Sequence, residues 1–383
     1  MINVSVVFGG VSCEHDISIL TGIQVINNLD KDKYNVYPIY INKSGEWIYS
    51  PNFVDVESLI KQKNVKRCFL LPNDTHLHTV NSLHVIKSIA SIDVCLLCMH
   101  GVNGEDGSLF KIFDMSGIVC ANSDLFSSAI CMDKCKFKKY ADSLDYVNVV
   151  KGVQYNSFDK LDDLKNNIQI NNLAFPIIVK ASRQGSSIGI TTSYNMDDLE
   201  NKINYCLRYD TEVVLEQKLT NMIEYNIACY RKGKTIILSS VEQPIGKDEI
   251  LSYSDKYLSG TKSDNVNTGM ASLTRIFPAK IGKNLLQKLQ CTTERLYSDL
   301  GLNGVVRFDY MYDKTNKKLY LNEVNTIPGS YAYYLFDTIT FANLLDDIIE
   351  NAYFINQQKN NIITYFESSV LKSGATGTKK IKK

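Results

Sequence analysis

The chain has 383 residues, 44% of them apolar and 22% charged, and its 42 Lys and Arg against 41 Asp and Glu leave a net charge of +1. This composition excludes a disulfide scaffold, a disordered chain and a surface that gathers nucleic acid or anionic lipid throughout, and it fits a globular protein of two or three domains. The ten cysteines lack paired spacing and no apolar stretch nears the roughly 20 residues that cross a bilayer, so buried free thiols in a cytoplasmic protein without membrane or nucleic-acid partners are expected.

In chain order, a strand is predicted over residues 4–8, an amphipathic helix over 17–29, and strands over 34–41 and 92–98, the alternation of a parallel α/β unit. Cys95 and Cys98 lie three apart in the last of these, on opposite faces of a strand, which argues against a metal clamp. A boundary near residue 122 precedes a helix read as continuous from 127 to about 141. Strands follow at 175–181, 213–216, 225–230 and 235–241. The polar stretch 246–269 is too long for a passive connection and is expected to be a mobile loop over an active site. A helix over 281–300, strands over 304–312 and 318–325, and a helix over 338–353 complete the body. The expected units are 1–122, 123–216 and 217–365, with 366–383 a disordered basic tail.

Two constellations carry chemistry. Arg307 and Asp309 are two apart on one predicted strand, and Glu323 and Asn325 two apart on the next, so each pair shares a sheet face. If residues 313–317 close a hairpin, two carboxylates, an amide oxygen and a guanidinium converge, a set suited to Mg²⁺ shared with substrate phosphates. A surface ion cluster is the alternative. Upstream, a strand delivers Lys180 into the small-residue loop Gly185-Ser186-Ser187-Ile188-Gly189, whose backbone N–H groups and hydroxyls could close over phosphate oxygens. It is not a Walker A loop, and a plain turn is the other reading.

At these residues the chain resembles the D-alanine:D-alanine ligases of the ATP-grasp superfamily, up to about residue 355. The likeness is carried by the block from Phe8-Gly9-Gly10 through Glu14 to Ser18, by His100-Gly101 through Glu105-Asp106-Gly107, by Met132-Asp133-Lys134, by Lys180 with its loop, by Arg307-Phe308-Asp309 and by Asn322-Glu323-Val324-Asn325-Thr326-Ile327-Pro328-Gly329. The resemblance implies an α/β, three-domain ATP-grasp fold with an N-terminal Rossmann-like parallel-sheet domain. It implies a homodimer that joins two D-alanines for peptidoglycan precursors, with ATP and two Mg²⁺ ions, or Mn²⁺ in their place.

Position by position, the resemblance gives Lys134, Lys180, Ser186 and Ser187 the ATP phosphates, Glu216, Lys218 and Leu219 the adenine edge, and Glu224 the ribose. Asp309, Glu323 and Asn325 would hold the metal. Glu14 would receive the amino group of the first amino acid in a triad with Ser186 and Tyr257, His100 would lie beside it, and Lys256 would meet the transferred phosphate. Arg307 and the Gly329 N–H would form the oxyanion site, and Ser330, Tyr334 and Leu335 would face the second amino acid. Two features depart from the family pattern: the turn before Glu224 is about one residue longer, and Tyr334 stands where a serine is usual. A different second substrate, such as D-serine, an L-amino acid or a hydroxy acid, and a non-catalytic ATP-binding regulator are the competing expectations.

Overall fold

The computed structural model describes residues 1–81, 83–245 and 274–368. Strand β1 (Ile2–Gly9) starts a sheet that continues with helix α1 (His15–Asn28), β2 (Tyr34–Ile41), β3 (Trp47–Tyr49), α2 (Val56–Lys61), β4 (Lys66–Leu71), β5 (Asp74–Val80), β6 (Ile86–Ser91), β7 (Val94–Leu97), α3 (Ser108–Met115) and β8 (Val119–Cys120). Its order is β6-β5-β4-β3-β2-β1-β7-β8. The strands β2, β1, β7 and β8 pair in parallel, as the alternating pattern predicts. The remaining four extend the sheet by antiparallel pairing and were not expected. Their segments are short and carry charged or hydroxyl side chains on one face, which hides strand periodicity.

Period 2 divides the core. Val4, Val6 and Phe8 pack on one face with Val25 and Ile26 of α1, whereas Val7 packs on the other with Phe110 and Phe113 of α3. Cys95 and Cys98 fall on opposite faces in the same way. All ten thiols are free, but Cys13 and Cys291 are exposed, which corrects the expectation that all are buried.

The segment read as one helix is two, α4 (Leu125–Met132) and α5 (Lys134–Asp142), because Asp133 leaves helical geometry and its carboxylate caps α5 by accepting from the Lys136 N–H at 3.0 Å. Both helices pack against the core of the third sheet through Cys131, Phe137 and Ala141. A second, antiparallel sheet then forms from β9 (Gly152–Asn156), β10 (Ile177–Ala181), β11 (Ile190–Ser193) and β12 (Glu212–Gln217), with α6 (Leu161–Ile170) and α7 (Met196–Cys206) over it.

The third sheet, also antiparallel, has the order β14-β13-β17-β18, from β13 (Met222–Lys232), β14 (Thr235–Leu238), β17 (Val306–Asp313) and β18 (Lys318–Asn325). Between β14 and β17 come the two-residue strands β15 (Gln243–Pro244) and β16 (Arg275–Ile276) and helix α8 (Lys283–Asp299). The final helix α9 (Phe341–Asn360) runs two turns past its predicted end and returns to the first sheet, where Leu344, Leu345, Ile348 and Ile349 join the core of Val4 and Phe8. At roughly 1.5–3 kcal/mol per fully buried aliphatic side chain, this helix ties the end of the chain firmly to its beginning. Among the described residues no helix is long and apolar enough to cross a membrane.

Candidate active site

A cleft of about 1100 Å³ opens between the second and third sheets. Ile178 and Ile190 wall it from one sheet and Met222 and Met311 from the other, an apolar slot fit for a flat aromatic ring. The lining also brings together Lys134, Lys180, Ser186, Ser187, Glu216, Lys218, Leu219 and Glu224 with Arg307, Asp309 and Glu323. Residues predicted from widely separated segments therefore share one cavity.

Strand β10 aims Lys180 at Glu216 on β12, with 2.9 Å between ammonium and carboxylate, and at the Asn322 amide oxygen at 3.2 Å. The other Glu216 oxygen lies 2.9 Å from Lys138 of α5. Burial alone would raise the Glu216 carboxyl, but the two ammonium groups outweigh it and hold the group at about 2. The Glu216 side chain is thus committed to cations, so any contact with an adenine edge falls to backbone in this segment. Lys138 was not anticipated: it lies about one turn beyond the Met132-Asp133-Lys134 block, and only the packing of α5 on β12 brings it to Glu216. Lys134 donates to the Gln184 carbonyl at 2.6 Å and lies 3.9 Å from Glu323.

The hairpin of β17 and β18 forms as predicted, with Arg307 opposite Asn325 and Asp309 opposite Glu323. In this state Arg307 grips Asp309 with two hydrogen bonds of 2.7 Å, and the Asn325 amide donates to the same carboxylate at 3.1 Å. Burial opposes the charge of Arg307, yet Asp309 outweighs it and keeps the guanidinium above its ordinary range. Two cross-strand carboxylates and an amide that can turn its oxygen inward form a hard-oxygen donor set, which fits Mg²⁺. Another cluster with metal-like spacing, Asp133, Cys135 and Glu212, already holds the Lys136 ammonium at 2.7 and 3.2 Å from its two carboxylates.

Across the cleft, the Ser186 hydroxyl donates to Glu14, which is buried at the start of α1. Ser186 and Ser187 take positive φ values of 51° and 63°, which turns the loop toward Glu14. A Cβ on Gly185 would stand 2.6 Å from the Glu14 carboxylate, so only glycine lets the loop come this near. Glu105, from the block that begins at His100, accepts from the Gly101 N–H at 2.9 Å. Burial, then repulsion from Glu14, pushes its carboxyl up to about 8. It had no assigned role from sequence, and the signal was its place in that block.

His100 is enclosed, with Nε2 2.9 Å from the Thr21 hydroxyl, and that hydroxyl also accepts from the Ser330 N–H at 3.1 Å. One hydrogen-bonded chain therefore runs from His100 through Thr21 to the turn after Gly329. In that turn Ser330, Tyr331 and Ala332 all have φ near +50°, a left-handed run held by the buried Tyr331, whose hydroxyl donates to the Leu97 carbonyl at 2.7 Å. Leu335 is wholly in the core, so a substrate contact there is left to its backbone. Lys256, Tyr257 and the stretch 246–269 lie outside the described residues.

Burial holds His100 neutral down to about 4. An unfolded imidazole protonates near its ordinary 6.5, so between these values the unfolded chain binds the extra proton. Stability contributed by neutral His100 is complete above the upper value and is lost as pH falls to the lower, by roughly 3 kcal/mol at about 1.4 kcal/mol per unit. Thermal melts across this range are expected to show a smaller acid loss for His100→Gln than for the wild type.

Family models agree with this geometry over nearly the whole chain. Residues 3–123 match the model described as D-ala D-ala ligase N-terminus, and residues 143–350 match D-ala D-ala ligase C-terminus. The D-alanine--D-alanine ligase of Caldicellulosiruptor bescii is 34% identical over 94% of this chain and 98% of its own length, and that of Thermosipho africanus 32% identical over 97% and 98%. Among solved structures, the VanG D-Ala:D-Ser ligase from Enterococcus faecalis superposes with a TM-score of 0.76 at 27% identity, covering 92% of this chain and 99% of that one. The Helicobacter pylori D-alanine-D-alanine ligase gives 0.72 at 26%, covering 91% and 98%. With both halves matched, and the glycine–serine loop and the carboxylate hairpin in one cleft, the chain belongs to the D-Ala-D-Ala ligase family and has its ATP-grasp fold.

Proposed function

We propose that this protein joins two D-alanines into D-alanyl-D-alanine at the expense of ATP, through an acyl-phosphate intermediate. The observation that supports this reading most is the convergence, across one cleft, of Lys134 and Lys180 with the Asp309–Glu323–Asn325 hairpin and Arg307, facing the Glu14–Ser186 pair. A carboxylate is a poor electrophile, and transferring a phosphoryl group to it supplies a leaving group. In our reading Ile178, Ile190, Met222 and Met311 sandwich the adenine, Lys134 and Lys180 draw the phosphates in, and Lys218, Leu219 and Glu224 complete the nucleoside site. Lys180 leaves Glu216 to do so, and Lys138 remains to hold that carboxylate.

Glu14, aligned by Ser186, receives the ammonium of the first D-alanine, while His100 fixes the nearby turn. Asp309, Glu323 and Asn325 would hold Mg²⁺, which when bound neutralises charge on the phosphates. Once Asp309 turns to that role its grip on Arg307 loosens, freeing the guanidinium to meet, with the Gly329 N–H, the oxyanion formed when the second amine attacks. Lys256 and Tyr257 retain the roles that the resemblance assigns them, as do a cytoplasmic homodimer and a place in peptidoglycan synthesis.

D-Serine in the second position is the alternative, favoured by Tyr334, which brings a hydroxyl beside Arg307. The test is phosphate release with ATP and Mg²⁺ over a panel of D- and L-amino acids, with products identified by mass. D-Ala-D-Ala as main product supports the first reading, a D-Ala-D-Ser preference in mixtures the second, and ATP hydrolysis without any dipeptide would reject both.

A further inference from the structure

Arg275 opens the short strand β16, and its side chain points inward. Its guanidinium lies 4.2 Å above the centre of the Tyr334 ring and 2.9 Å from Glu242. Glu242 is fully buried and also accepts from the Asn226 amide at 3.0 Å, so the guanidinium is anchored on the central strand of the third sheet. Tyr334 also meets Tyr333 edge to face at 6.1 Å, and Tyr333 stacks on Phe341 at 4.4 Å. The ring is therefore clamped by a cation over its face and an aromatic neighbour, a geometry in which the cation–π contact is strengthened by desolvation.

The clamp sets the phenol. Its oxygen is enclosed and faces Arg307, which can only donate, and no acceptor for the phenol's own proton exists among the described residues. Burial, then the Glu242 carboxylate, hold the phenol above its ordinary range, so that proton stays in place. An enclosed donor without an acceptor, beside the arginine assigned to the oxyanion, calls for a ligand that accepts.

We infer that Arg275 is a positioning residue that locks Tyr334 as both wall and hydrogen-bond donor of the second amino acid's subsite, so that the acceptor is a small D-amino acid held by its carboxylate. The inference rests on the ligase reading and adds to it the residue that makes a tyrosine workable at the position where the resemblance implies a serine. A phenol reaches several ångströms further from the backbone than a serine hydroxyl, and a freely turning ring would either fill the subsite or leave it. Arg275 removes that freedom.

The test compares wild type with Tyr334→Phe, Tyr334→Ser, Arg275→Lys and the double variant Arg275→Met with Glu242→Gln, which removes the clamp without leaving a buried charge unpaired. Fold is checked by near-UV circular dichroism. Tyr334→Phe keeps the clamp and deletes the donor, and it is expected to raise KM for the second D-alanine about tenfold or more, with KM for ATP unchanged. The double variant is expected to raise the same constant and to let D-norvaline or D-phenylalanine gain on D-alanine as acceptor. Arg275→Lys should recover part of the wild-type profile, and Tyr334→Ser should admit the larger acceptors. An unchanged acceptor profile in the folded double variant, or a change confined to KM for ATP, would overturn the inference; should the double variant not fold, unchanged acceptor constants in Tyr334→Phe and Tyr334→Ser overturn it equally. Failure of the ligase reading is separately visible, since wild type itself would then yield no dipeptide, and the inference would fall with it.

Discussion

Asp309→Asn and Glu323→Gln are each expected to lower ATP-dependent turnover by about a hundredfold or more, with the thermal melt of the free protein near wild type for Glu323→Gln and lowered for Asp309→Asn. Each exchange keeps volume and hydrogen-bonding shape but deletes a negative charge. In the free protein the loss is tolerable for Glu323, which is 3.9 Å from a lysine and partly exposed, whereas Asp309→Asn leaves the buried Arg307 without its counter-charge and costs stability as well. In the loaded protein the same charges must hold a divalent cation against the phosphates, where a neutral amide is a far weaker ligand. Steady-state kinetics over a Mg²⁺ titration separates the two effects. Near wild-type turnover in both variants at any Mg²⁺ concentration would remove the metal assignment of this hairpin.

Lys180→Ala and Arg307→Ala are expected to fail differently. Lys180 stands on the cleft floor between Glu216 and Asn322, placed for phosphates already charged in the ground state, so its loss raises KM for ATP. The same variant leaves Glu216 with Lys138 alone, so a modest drop in melting temperature accompanies it. Arg307 is bound to Asp309 before the reaction and becomes available as charge develops on the attacked carbonyl, so its loss lowers kcat by about a hundredfold or more with little change in KM for ATP. The contrast is measured with both amino acid and ATP varied. Identical kinetic patterns in the two variants would contradict the division of roles.

What the sequence made legible was local. The hairpin of β17 and β18 could be read because period 2 alone puts Arg307 with Asp309 and Glu323 with Asn325, and the structure keeps that register. The Lys180 strand and its glycine–serine loop were legible for a similar reason. What escaped depends on contacts between distant segments. Lys138 reaches Glu216 only because α5 packs against β12, and the break at Asp133 that starts α5 was masked by helical residues on both sides. Arg275 lay between the polar stretch and the next predicted helix, in no predicted element, so nothing local distinguished it from a solvated charge; its partners Glu242 and Tyr334 come from two other segments. The antiparallel strands β3 to β6 escaped because each is short and offers one polar face. Leu335 was placed at the second substrate by its neighbours in sequence, whereas the left-handed turn at residues 330–332 rotates its side chain into the core.

The central claim is that ATP is spent on phosphorylating the first amino acid's carboxylate. The direct measurement uses D-alanine labelled with oxygen-18 in its carboxyl group, with ATP and Mg²⁺, and mass analysis of the released phosphate. Attack of the carboxylate on the terminal phosphoryl group places one labelled oxygen in the bridge, and expulsion of phosphate by the second amine carries that oxygen away. The account predicts one labelled oxygen in inorganic phosphate for each dipeptide formed, with ADP as the other product. Unlabelled phosphate alongside dipeptide, or label appearing in AMP, would contradict it.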